Sequence, residues 1–133
     1  MRVVLDTNVL VSAIFFAGVP GRILEAWSEG RFEMLASVDI LAEYRRVVAR
    51  LERRFPSLEA RQVLDLILRE CRLVEPVSVL PTACDDPDDL KFLGRAAAGS
   101  ASCIVSGDRA LLRASGFEGI EILTPRVFTR RYL

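Results

Sequence analysis

Histidine is absent from this chain of 133 residues, and its three cysteines, Cys71, Cys84 and Cys103, stand far apart without CxxC spacing. Neither a zinc cluster nor a disulfide framework is compatible with that pattern, and the cysteines read as reduced, mostly buried small hydrophobes. There is no excess of charge of either sign: 18 basic residues balance 18 acidic ones. The chain therefore lacks the electrostatic footprint of a constitutive, high-affinity DNA-binding protein, and any contact with nucleic acid must come from local patches. Lysine occurs once, at Lys91, so the basic residues are otherwise arginine, which suits bidentate phosphate contacts and ion pairs alike. No long hydrophobic run is present. The nearly apolar stretch from Val9 to Val19 is too short to span a bilayer. The N-terminus lacks the basic start, apolar run and small-residue cleavage site of a signal peptide, which predicts a cytoplasmic protein.

What is present is a globular composition, 51% hydrophobic and 27% charged, in a length suited to one compact domain over residues 1–133. Arg2 to Leu5 is a β-branched start that ends at Asp6-Thr7-Asn8, three good helix caps. A helix is predicted over Val9–Phe16, a break at Gly18-Val19-Pro20-Gly21, and a second helix over Arg22–Ser28. Phe32–Ala36 reads as a second strand. Ser37 caps a long helix to Arg54 with Leu41, Tyr44, Val48, Leu51 and Phe55 as its apolar stripe, and Ser57 caps the next, to Cys71. Further strands are expected at Leu73–Val77, Ser102–Ser106 and Ile120–Leu123, with helices from Asp86-Pro87 to Gly99, over Arg109–Ala114 and over Arg126–Tyr132. Strands separated by helices, with no Asn-Gly hairpin signal, imply right-handed crossovers and a parallel sheet of about five strands in a three-layer α/β/α sandwich.

Four acids stand at the ends of apolar segments: Asp6, Glu43, Asp89 and Asp108. Strand C-termini in such a sheet share one edge, where ligands bind, so Asp6 and Asp108 should meet there, with Asp86 to Asp89 opening a helix toward the same edge. At helical pitch Asp89 falls in line with Leu93, Ala96 and Ala97 on the core-facing side, and Asp88 falls off it. A carboxylate on that line is costly unless paired, hydrogen-bonded or bound to a cation. Each acid also has a purely structural reading. Asp6 and Asp108 can cap strand-to-helix turns for about 1 kcal/mol each. Asp86 reads as a cap with Pro87 in the first helical position, and Glu43 can pair with Arg46 or Arg50 for about 0.2–0.5 kcal/mol. As a set, however, four converging carboxylates repel one another unless a divalent cation compensates, and oxygen-only ligands suit Mg²⁺ or Mn²⁺.

The segments Val4-Leu5-Asp6-Thr7-Asn8-Val9-Leu10, Leu41-Ala42-Glu43-Tyr44, Asp86-Pro87-Asp88-Asp89-Leu90-Lys91-Phe92 and Ile104-Val105-Ser106-Gly107-Asp108, with Ile122-Leu123-Thr124-Pro125 before a final helix, resemble the successive motifs of PIN-domain proteins in order and spacing. The resemblance implies a metal-dependent endoribonuclease, most often the VapC-like toxin of a toxin–antitoxin pair, using Asp6, Glu43, Asp89 and Asp108 as an acidic quartet around Mg²⁺ or Mn²⁺. It further implies that Asn8 and Ser106 support the site by hydrogen bonding, Ser106 standing where threonine is common. An RNA substrate, a small antitoxin that covers the cleft and a homodimer are the partners it suggests. Arg45, Arg46 and Arg50, or Arg130 and Arg131, are candidates for phosphate contacts. Phe15, Phe16 and Trp27 read either as a contact surface or as core.

Three other readings compete. An aspartate-based phosphatase would need an acid two residues after Asp6, where Asn8 stands. A phosphoacceptor receiver would need a paired acid beside Asp6 and a lysine closing a late strand, whereas Lys91 falls in a helix. A catalytically idle PIN-like binding scaffold would not need the complete quartet.

Overall fold

The computed structural model describes residues 1–75 and 84–133; the side chains of Asp88, Arg95, Ala97 and Ala98 are also outside the description. Five strands, β1 Arg2–Leu5, β2 Glu33–Ala36, β3 Arg72–Leu73, β4 Cys103–Val105 and β5 Glu121–Leu123, form one sheet in the order β3-β2-β1-β4-β5. All four pairings are parallel, with Val4 lying between Leu35 of β2 and Ile104 of β4. Val3, Val4, Leu5, Leu35, Ile104 and Val105 are fully buried. That is the pattern demanded of strands covered on both faces, where the apolar run is continuous rather than alternating. β3 begins one residue earlier than the expected Leu73, and Pro76 and Val77 of the expected strand lie outside the described residues.

Among the described residues, seven helices pack around this sheet: α1 Thr7–Phe16, α2 Gly18–Ser28, α3 Val38–Arg54, α4 Leu58–Glu70, α5 Leu90–Ala98, α6 Arg109–Leu112 and α7 Pro125–Tyr132. With right-handed crossovers, α1 to α4 cover one face as the chain steps from β1 outward to β3, and α5 and α6 cover the other as it returns to β4 and β5. The direction of stepping changes between β1 and β4, which makes their carboxyl ends the place where a cleft opens.

Local chemistry explains the element starts. The hydroxyls of Ser37, Ser57 and Thr124 accept from the amides of Ile40, Ala60 and Val127, capping α3, α4 and α7. Most boundaries shift by one or two residues from the sequence reading, and the larger difference is that α2 starts at Gly18, not at Arg22. Pro20 falls in its first turn, where the missing N–H has no helical partner to lose. Left-handed backbone at Ala17 (φ 56°) and Gly18 (φ 69°) makes the turn, so the Gly-Val-Pro-Gly segment opens the helix instead of separating it. α1 and α2 consequently meet at 95°. No single described helix is long and apolar enough to cross a membrane. The Cys84 and Cys103 side chains are buried, Cys71 is half-buried, and all three are free thiols.

Candidate functional site

The β1–β4 ladder continues one step past the strand ends, where the Asp6 amide donates to the Val105 carbonyl at 2.9 Å. This register sets Asp6 against Ser106. The Ser106 hydroxyl donates to Asp6 Oδ2 at 2.6 Å and accepts from the Asp108 amide at 2.9 Å, so one buried serine connects the two strand-end aspartates. Asp6 occupies the N-cap position of α1, yet its side chain makes no cap bond. Asp108, in contrast, caps α6 through Oδ1, which accepts from Ala110 and Leu111. Of the two caps considered from sequence, one is therefore formed, and it engages only one oxygen of Asp108.

Glu43 reaches the same cleft because α3 is pinned to β1. Tyr44, fully buried, donates its hydroxyl to the Leu5 carbonyl, which fixes the face of α3 on which the preceding residue stands. The Thr7 hydroxyl donates to Glu43 Oε2, while Lys91 Nζ lies 3.0 Å and Arg46 Nη2 3.8 Å from Oε1. Burial pushes the Glu43 carboxyl up, but the Thr7 hydroxyl and the Lys91 and Arg46 charges outweigh it and hold Glu43 below its ordinary value.

Asp89 closes a single 3-10 turn, Pro87–Asp89, ahead of α5, rather than lying inside an α-helix. It is nevertheless inward, only 6% exposed, as are Leu93 and Ala96 farther along; Asp88 and Ala97 are among the side chains not described. Its Oδ2 is buried without a hydrogen-bond partner among the described residues. Burial, then repulsion from Asp108, Asp6 and Asp86, raises the Asp89 pKa to about 7. Asp6 is raised as well, chiefly by burial, against the lowering effect of its Ser106 hydrogen bond.

Asp6, Thr7, Asn8, Glu43, Val47, Asp89, Lys91, Phe92 and Asp108 together line one cleft of about 170 Å³. All four acids of the expected quartet thus meet. Asn8 is exposed at its rim, and its side chain has no hydrogen-bond partner among the described residues. The carboxylates of Asp86, Asp89 and Asp108 come closest, one oxygen from each lying within 4.8 Å of the others. Asp86 was readable from sequence only as a cap. The signal for a second role is its spacing, since residues three apart eclipse in a 3-10 turn, and the Asp89 amide does bond the Asp86 carbonyl at 3.0 Å. The Cys84 thiol on the Ala110 carbonyl and the Arg113 guanidinium on Asp85 at 2.8 Å fasten this segment to α6, beside Asp108. Thr7 and Lys91 are the other site residues that sequence reasoning passed over. An unpartnered buried carboxylate oxygen among mutually repelling, oxygen-only donors fits a hard divalent cation, and Asp86, Asp89, Asp108 and Asp6 are the residues that would hold it.

A parallel sheet with a carboxylate cleft at its switch point defines the class: an α/β protein with the makings of a cation-dependent site. A family model described as PIN domain matches residues 2–110, and the chain belongs to the PIN-domain family, whose members are generally nucleases. Among solved structures, PAE2754 from Pyrobaculum aerophilum is similar with a TM-score of 0.65 at 15% identity, covering 98% of this chain and 88% of that one. VapBC2 from Rickettsia felis, bound to a DNA fragment from their promoter, is similar with a TM-score of 0.59 at 18% identity, covering 92% of this chain and 98% of that chain. At these identities the likeness is one of fold. No curated protein matches the sequence.

Proposed function

We propose that this protein is a metal-dependent endoribonuclease that hydrolyses RNA phosphodiester bonds, acting as the toxin of a toxin–antitoxin pair. The observation that carries the nuclease reading is the buried, unpartnered Oδ2 of Asp89 among Asp6, Asp86 and Asp108 at the carboxyl end of the sheet. Mg²⁺ or Mn²⁺, when bound, supplies positive charge for the phosphate oxygens and makes water more acidic. Ser106 holds Asp6 in place, and the α6 cap does the same for Asp108, so both acids are fixed before a ligand arrives. Glu43, kept ionised by Thr7 and Lys91, is an acceptor suited to orienting the attacking water, and its lowered pKa makes it a weak proton acceptor.

The toxin assignment rests on membership of the PIN family and on the similarity to VapBC2. A small antitoxin is the expected inhibitor. A second copy of the chain is a further expected partner, supported by Phe16, which is 60% exposed and packs edge-on against the exposed Phe55 at 5.8 Å between ring centres; light scattering that finds only monomer across the micromolar range removes that expectation.

The test is cleavage of single-stranded and structured RNAs by purified protein with Mn²⁺, with Mg²⁺ and with EDTA, beside an Asp6→Asn, Asp89→Asn variant. Metal-dependent cutting absent from the variant is the expected result. A folded protein that binds Mn²⁺ but cuts nothing points to the idle scaffold, and a protein that binds no Mn²⁺ overturns the site itself.

A further inference from the structure

A second cleft, of about 400 Å³, lies between α2 and α7 and is lined by Val19, Arg22, Arg126, Thr129, Arg130 and Leu133. None of these residues belongs to the carboxylate cleft. Its three arginines have no ion-pair or hydrogen-bond partner among the described residues. Other arginines nearby are satisfied: Arg131, one residue on, is paired with Glu121 at 2.6 Å. The chain as a whole carries no net charge, so three unpaired arginines at one concavity are a local excess that the composition does not require.

The three arginines are exposed, and their arrangement is mildly unfavourable without a ligand. Arg126 and Arg130 stand at i and i+4 on one helix, the spacing at which like charges repel, and Arg126 lies in the first turn of α7, where the helix dipole disfavours a cation. Thr129, on the same helix, is only 7% exposed, yet its Oγ1 has no hydrogen-bond partner among the described residues. A buried hydroxyl left without a partner is a destabilising feature that a bound acceptor relieves. Planar guanidinium donors and a hydroxyl donor lining one cleft offer the donor chemistry that the oxygens of a phosphate accept.

We propose that the α2–α7 cleft is an anion site that binds a backbone phosphate of the RNA strand, at a distance from the bond cut in the carboxylate cleft. The inference rests on RNA being the substrate. Arg22, Arg126 and Arg130 supply the charge, and Thr129 supplies the uncharged donor that fixes the phosphate against α7. This site accounts for how a protein with no net charge, and with an acidic cleft that repels RNA when metal-free, holds a polyanion.

The experiment is fluorescence anisotropy of a labelled single-stranded oligoribonucleotide with the full chain in EDTA, so that binding is read without cutting. Arg126→Gln, Arg130→Gln should weaken binding roughly tenfold or more and reduce the slope of log affinity against log salt by about 0.7 for each phosphate no longer engaged. An equal-charge control, Arg53→Gln, Arg69→Gln, on two exposed arginines of α3 and α4, should leave affinity nearly unchanged. Thr129→Val carries no charge change; it should weaken RNA binding while the free protein melts at the same or a higher temperature. Affinity that falls equally in the control pair, or is unaffected by the cleft variants, overturns the proposal and leaves the nuclease reading intact, because that reading is decided by metal-dependent cutting. RNA binding that depends on the cleft in a protein that never cuts would sustain the anion site and remove the nuclease. If inorganic pyrophosphate or an acidic peptide binds in an arginine-dependent way and RNA does not, the cleft serves a different ligand and the proposal fails.

Discussion

Asp89 concentrates the electrostatic tension of the site in one residue. Its pKa, ordinarily 3.8, is raised to about 7, so between those values the folded protein retains a proton that the unfolded chain has released. In EDTA, stability should therefore decline as pH rises through this window and level off above it, and Asp89→Asn should reduce the decline, leaving the share of the same sign that the raised Asp6 carboxyl contributes; thermal melts from acid to neutral pH measure both. Glu43 has the opposite sign: its contribution is full above its ordinary value of 4.5 and is lost as pH falls from there through the depressed value, so it does not account for that decline. Lys91→Met should move the Glu43 carboxyl back up, an effect read directly by carboxyl NMR titration. Ser106 is buried between a carboxylate and an amide, so Ser106→Ala leaves two polar groups without their partner. A loss of about 1.5–3 kcal/mol in urea unfolding is expected, with much of it restored by Ser106→Thr.

Within single elements, α6 is the clearest case of one side chain with two tasks. It is a four-residue helix whose start is held by Asp108 Oδ1, while the same carboxylate also brings an oxygen within 4.8 Å of oxygens of Asp86 and Asp89. Asp108→Asn retains an acceptor for the cap and removes the charge, so it should cost little stability while weakening Mn²⁺ binding. Asp108→Ala should lose both, with about 1 kcal/mol in unfolding free energy added to the lost affinity. Calorimetry and chemical denaturation on the two variants separate the roles. Hydrophobic spacing made the strand-to-helix order legible, and it placed Asp89 inward although the residue lies in a 3-10 turn ahead of α5 and not at α-helical pitch. The start of α2 was not legible: glycine and proline mark a break, but only the packed geometry decides whether Pro20 lies before a helix or in its first turn, where it is equally at home.

For the whole molecule, the cation and the fold are linked. A divalent ion that binds only the folded site stabilises by about 2.7 kcal/mol when its free concentration is a hundred times its Kd. Mn²⁺ should raise the melting temperature by several degrees, EDTA should reverse the gain, and the Asp6→Asn, Asp89→Asn variant should show none; differential scanning calorimetry checks all three. The same scale accounts for how Glu43, in the third helix, comes to stand opposite residues nearly fifty positions later in the chain. Tyr44 anchors α3 to the Leu5 carbonyl, and Lys91 at the start of α5 then meets Glu43 across the cleft.

The order of strands and helices, the parallel sheet and the convergence of Asp6, Asp89 and Asp108 on one edge were readable in the chain itself, and Glu43 joined them through the resemblance to PIN-domain proteins. Hydrophobic period, caps and the handedness of crossovers are local or near-local rules, and they suffice to bring strand ends together. What belongs to tertiary structure is which oxygen of each acid is already engaged: Asp6 by Ser106, Asp108 by α6, Glu43 by Thr7 and Lys91, with Asp89 alone keeping a buried oxygen unpartnered. The approach of Asp86, the pairing of Lys91 and the gathering of Arg22 with Arg126 and Arg130 are decided there too. These interactions join residues from distant parts of the chain or depend on the shape of one turn, and spacing along a sequence carries no distance between side chains that only packing brings together.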